Sequence, residues 1–92
     1  MNYKIRDGII LKNICDEWLL IAVGDAGEFC EYVRHINDTF AWYWKEIENC
    51  VPVEQIIIDA SEEFDVSEDI IKKDINDLIR QLIDMNYLIM ED

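Results

Sequence analysis

Few side chains in this sequence are of the kinds that carry out reactions, and their spacing assembles none of them into a reacting set. His35 is the only histidine. It lies beside Arg34 in a stretch of strand character and reads as a surface or hydrogen-bonded residue. The 21 carboxylates reflect composition, and no pair among them stands out with a base or nucleophile to support acid–base work. Cys15, Cys30 and Cys50 form an odd set without a CxxC pair, so neither a disulfide framework nor a zinc site is expected, and the thiols read as small apolar groups. Gly8, Gly24 and Gly27 all fall in turns, which leaves no glycine-rich phosphate loop. Asn37-Asp38-Thr39 matches a glycosylation sequon, but it reads as a helix cap. The expectation is a protein that is not an enzyme, with no cofactor and no metal site. What remains is binding.

Charge narrows the partner. The chain has a formal net charge of -13, and its two halves differ. Residues 1–45 hold seven acids and five bases; residues 46–92 hold fourteen acids and three bases. Nucleic-acid affinity comes largely from Lys and Arg neutralising phosphates, so a half this acidic repels DNA and RNA. A basic partner with salt-sensitive association is expected instead. No apolar run is longer than WLLIAVG (18–24), far short of the ~18–20 residues that span a bilayer. MNYKIRDG lacks the features of a signal peptide, so a cytoplasmic location is expected.

Ninety-two residues suit one domain, residues 1–92, with a single core. The first third reads as strands: IILKNI (9–14) and EWLLIAV (17–23), joined by Cys15-Asp16 as a tight hairpin, then EFCEYVRHI (28–36) after the loop Gly24-Asp25-Ala26-Gly27. YKIR (3–6) prolongs the first strand or forms a separate edge piece. From Asn37 the period becomes helical. Asn37 or Asp38 caps a first helix carrying Phe40, Trp44 and Ile47 on one face. Pro52 suits the first turn of a second helix, with Val53, Ile56, Ile57, Ala60 and Phe64 as its stripe. Ser67 is a good N-cap for a third, about 68–85, whose Ile71, Ile75, Leu78, Ile79, Leu82 and Ile83 make a broad apolar face. Asn86 ends it in the left-handed conformation, and YLIM follows as a short extended tail.

The ordered set LKNICDEWLLIAVGD, INDTFAWYW and EEFDVSEDIIKKDINDLIRQLIDMNYLI resembles PqqD-like proteins. In that family an L-N-x-T opens the first helix and a Trp follows; here Ile36-Asn37-Asp38-Thr39 and Trp44 match. The family's last helix carries an Asp followed by apolar residues, a Leu and a hydrophobic terminus. Asp74-Ile75, Leu78-Ile79, Leu82 and Tyr87-Leu88-Ile89 fit that layout. The resemblance runs from about Asp7 to Met90. EFCEYVRHI is longer than the family's usual third strand, which leaves its register open.

The resemblance implies an α+β fold, an N-terminal three-stranded antiparallel sheet packed on a three-helix winged helix-turn-helix bundle. It also implies a RiPP recognition element, which binds the leader of a ribosomally made precursor peptide by strand addition. Such a peptide chaperone presents the precursor to a modifying enzyme, often a radical-SAM protein, in pyrroloquinoline quinone or other natural-product biosynthesis. In strand addition, main-chain hydrogen bonds give affinity and alternate side-chain pockets give selectivity. The binding strand expected here is Phe29, Cys30, Glu31, Tyr32, Val33 and Arg34, facing Ile71, Lys72, Ile75, Leu78 and Ile79. Arg34 and Lys72 are placed to pair with leader carboxylates. Competing readings are a self-paired homodimer edge, a winged-helix transcriptional regulator, and a non-catalytic subunit that stabilises an enzyme.

Overall fold

The computed structural model describes residues 2–91 and shows an α+β protein of three helices and two antiparallel sheets. β2 (Ile9–Ile14) and β3 (Glu17–Ala22) form the expected hairpin, with Ile14 opposite Glu17. Cys15 and Asp16 both take positive φ, 52° and 65°. That is the type I′ pattern, whose twist matches that of the flanking strands. β4 (Val33–Ile36) pairs with β3 and completes a sheet in the order β2-β3-β4.

The third strand is shorter than EFCEYVRHI. Residues 24–28 form a 3-10 turn, and the Ala26 carbonyl accepts from the N–H groups of Phe29 and Cys30 at 3.1 and 3.0 Å. Those amides are thereby withdrawn from any ladder, which begins only where the Ala22 N–H reaches the Tyr32 carbonyl at 3.0 Å.

The three-stranded sheet is also not the first element. β1 (Asn2–Ile5) precedes it and pairs with β5 (Leu88–Glu91) in a separate two-stranded sheet. YKIR is therefore the separate piece, and the expected extended tail is a paired strand. This pairing continues through the Arg6 N–H donating to the Tyr87 carbonyl at 2.9 Å.

Three helices fill the middle of the chain. α1 (Asp38–Glu48) starts where the Asn37 Oδ1 accepts from the Phe40 N–H at 2.7 Å, satisfying an otherwise orphan donor. Pro52 is the residue before α2 (Val53–Phe64), and its carbonyl accepts from Gln55 and Ile56. Asp65 ends α2 in the left-handed region, φ 53°. Ser67 stands at the N-cap position of α3 (Glu68–Asp84), but its side chain makes no cap bond; its backbone carbonyl accepts from Ile71 instead. Asn86 has φ 68°, as expected of a left-handed stop. Tyr87 N–H to Leu82 carbonyl and Asn86 N–H to Ile83 carbonyl complete a Schellman motif, with Leu82 and Tyr87 both buried across it.

Trp44, Tyr87, Leu20, Ile56, Ile75 and Leu82 are the largest fully buried side chains, drawn from each helix, from β3 and from the turn before β5. Trp44 and Tyr87 meet edge to face at 5.9 Å, a geometry that adds to their burial. The Trp44 indole N–H donates to Glu48 at 3.1 Å. Lys45 lies over the Trp18 ring at 4.1 Å and ties α1 to β3. No described helix is long and apolar enough to cross a membrane.

Candidate functional site

β4 is a border strand, and its pairing fixes what that border offers. Antiparallel pairs alternate between residues that exchange hydrogen bonds and residues that do not. Since Ala22 bonds Tyr32, the bonded pairs are Ala22–Tyr32, Leu20–Arg34 and Trp18–Ile36. Val33 and His35 fall between them and aim their N–H and C=O groups away from β3, at the open border. No described strand occupies that side, because β5 is paired with β1.

Side chains divide by the same alternation. Val33 and His35 lie on the outer face of the sheet, with Val33 51% exposed and His35 3.4 Å from Glu17. Ile10, Ile14, Leu19 and Ile21 share that face. Arg34 and Ile36 point to the helix side. Arg34 does not extend free toward a ligand there: its Nε donates to the Tyr87 hydroxyl at 3.2 Å, and its guanidinium pairs with Glu31 at 3.2 Å. Burial pushes the Tyr87 phenol up, and the Arg34 hydrogen bond and charge oppose that shift.

The residues before β4 are anchored rather than paired. Asn86 Nδ2 donates to the Phe29 carbonyl at 3.2 Å, and Arg6 stacks over the Phe29 ring at 4.3 Å. Cys30 is buried with its thiol 3.4 Å from the Asn86 carbonyl, and burial raises its pKa. Glu31 and Tyr32 are exposed. Of the six strand residues expected to bind, Val33 and Arg34 alone belong to β4.

On α3, Ile71, Ile75 and Ile79 are core residues, 2%, 0% and 8% exposed. Lys72 is exposed, and Leu78 is half-buried. Leu78 opens onto a groove of about 320 Å³ whose other lining residues are Asn37, Thr39, Phe40 and Tyr43 from the α1 side and Asp74, Asp77 and Gln81 from α3. The groove begins at Asn37, the residue that follows β4. Of the five helix residues expected at the site, only Leu78 lines it. Asp74, Asp77, Leu78 and Gln81 follow the spacing i, i+3, i+4, i+7, so this second face was present in the sequence beside the stripe of isoleucines. Tyr43 is 4% exposed, and burial, with the Asp74 charge second, raises its pKa. A separate pocket of about 360 Å³, lined by Tyr3, Val51, Val53, Ile79 and Leu88 among others, lies by the β1–β5 sheet.

A border strand with a groove beside it is a physical arrangement shared by many small domains. The family comparison separates them: the model described as "Coenzyme PQQ synthesis protein D (PqqD)" matches residues 18–88. The chain belongs to the PqqD family. The match starts in β3, includes β4 and all three helices, and ends at the first residue of β5, so it spans both the border and the groove. PqqD proteins are non-catalytic accessories in the biosynthesis of PQQ and related ribosomally made peptides. They bind a precursor peptide and work with a biosynthetic enzyme. Comparison with curated proteins gave no match, and comparison with solved structures gave none.

Proposed function

We propose that this PqqD protein binds the leader of a ribosomally made precursor peptide as a fourth strand on β4 and presents the peptide to a modifying enzyme, a radical-SAM protein being the expected kind. The observation that carries this reading is the outward-facing backbone of Val33 and His35 on a border that no described strand occupies. Unpaired edge groups template the addition of a chain.

Magnitudes require the groove as well. Val33 and His35 together offer two donors and two acceptors, and four hydrogen bonds contribute a net of roughly 4 kcal/mol. Ordering even five residues of a flexible peptide costs roughly 5–10 kcal/mol. Backbone pairing alone does not hold the leader. Side chains of the added strand that point to the helix side run toward Phe40, Tyr43 and Leu78, where apolar burial supplies the difference.

In this reading the three helices form a winged helix-turn-helix arrangement whose last helix serves a peptide and not a DNA groove. The charge supports that: α3 carries Lys72, Lys73 and Arg80 against Glu68, Asp69, Asp74, Asp77 and Asp84. The test is to mix the protein separately with a candidate precursor peptide, with a candidate modifying enzyme, and with duplex DNA. Binding to the peptide alone and to the enzyme alone is expected. Binding to the enzyme only would make this a stabilising subunit, and a mobility shift of DNA at physiological salt would make it a regulator.

A further inference from the structure

The groove at the end of β4 has a chemistry that sets which side chain it receives. Phe40 and Leu78 line it, and Asp74 and Asp77 stand exposed beside them. Neither carboxylate forms an ion pair with a described residue. The independent observation is the Tyr43 phenol. Tyr43 is 96% buried by its 4% exposure, and its hydroxyl has no hydrogen-bond partner among the described residues. Yet no fully enclosed side-chain nitrogen or oxygen lacks a partner. The Tyr43 hydroxyl therefore opens into the groove that its ring lines. The tip of an otherwise buried phenol is thus a polar group that water reaches from the groove and that a ligand side chain there can meet in water's place.

We propose that this groove seats a cationic side chain, lysine or arginine, of the strand bound on β4. The inference rests on the strand-addition reading and adds the identity of the anchoring residue. A leader residue opposite Ile36 has its side chain on the helix side of the sheet, because facing residues of paired strands share a face. Asn37, the next residue along, is already part of the groove wall. A lysine or arginine there lays its methylene stem along Phe40 and Leu78 and brings its charge between Asp74 and Asp77, with the Tyr43 oxygen as a neutral acceptor. A neutral apolar side chain would cover the stem positions but leave the two carboxylates desolvated without a partner. A carboxylate would meet like charge. The net charge of -13 adds long-range attraction for the same sign of ligand.

The test uses three capped peptides of alternating Thr and Val, alike except for one central residue: lysine, norleucine or glutamate. Each slides along the border, so the variable residue samples the groove. Amide shifts of Val33 and His35 report strand docking, and the titration gives affinity. The lysine peptide is expected to bind roughly tenfold tighter than norleucine, the scale of one charge-assisted hydrogen bond, and glutamate weaker than both. At physiological salt, which screens the long-range attraction of the remaining charge, the lysine advantage disappears in the Asp74→Asn/Asp77→Asn double variant while norleucine binding stays. Tyr43→Phe lowers affinity for the lysine peptide alone. Both aspartates are exposed, so the double variant keeps the fold, and circular dichroism verifies it. Equal affinity for lysine and norleucine, or a lysine advantage that survives the double variant, overturns the cationic anchor while strand addition stands. If no peptide perturbs Val33 or His35, strand addition and the anchor fall together.

Discussion

The Arg34 guanidinium and the Tyr87 hydroxyl meet at 3.2 Å, joining the border strand to the residue that closes the Schellman motif of α3. Tyr87 is 1% exposed and packs against Trp44, so the bond fixes one side of the border to the core. The two partners are unequal. Arg34→Ala leaves a buried hydroxyl unpartnered and is expected to cost about 1–3 kcal/mol, whereas Tyr87→Phe leaves a solvent-reachable guanidinium and costs about 0.5–1.5 kcal/mol. Urea unfolding of the two variants gives the order. A larger loss for Tyr87→Phe would contradict it.

Asn86 holds two jobs that substitution separates. Its φ of 68° disfavours a Cβ, and its side chain donates to the Phe29 carbonyl at 3.2 Å. Asn86→Ala keeps the strain and loses the bond, and should cost about 1–2 kcal/mol; Asn86→Gly relieves the strain and should cost less. Thermal unfolding ranks them. Both should speed amide exchange in residues 29–32, which the Asn86 contact anchors.

Alkali should lower the stability of the fold. Burial raises the pKa of Cys30 above 9.0 and of Tyr43 and Tyr87 above 10.0. Between the unfolded and folded values the unfolded chain has released protons that the native chain still holds, so stability falls as pH rises. Their contribution is complete below about pH 9 and lost as pH climbs through the raised values. Urea midpoints measured from pH 8 upward should decline, and Tyr43→Phe should make the decline shallower.

Two substitutions at the expected site act in different ways. Ile75 is fully buried, so Ile75→Asp places a charge in the core and should unfold the protein, not merely weaken binding. Val33→Pro removes an N–H that faces the border and bonds no residue of β3, so the β3–β4 ladder survives. Circular dichroism should show a folded Val33→Pro and a loss of native signal for Ile75→Asp. Leader affinity of Val33→Pro should drop about fivefold or more, from the missing donor and the blocked edge.

What the sequence disclosed was the local part. The apolar spacing of Phe40, Trp44 and Ile47, the Asn37 cap, and Cys15-Asp16 between two apolar runs are decided by near neighbours, and each element is where these signals put it. The start of β4 is not local. Phe29, Tyr32 and Val33 read as strand, but the Ala26 carbonyl captures the nearest amides, while Asn86 and Arg6, distant in sequence, hold Phe29. Likewise β1 and β5 pair across the whole chain, and neither alone announces a partner. On α3 the isoleucines looked like a wall for a ligand because a stripe shows which residues are apolar, not what they face. Here they face the core, and the row that lines the groove is the more polar one beside them.

The central claim is that Val33 and His35 receive a peptide strand. Native-state amide hydrogen exchange measures it residue by residue. In the protein alone, the Val33 and His35 amides should exchange rapidly while those of Arg34 and Ile36, bonded to β3, are protected. With saturating leader peptide, protection should appear at Val33 and His35. A leader that binds tightly yet leaves both exchanging at their original rates would contradict the account.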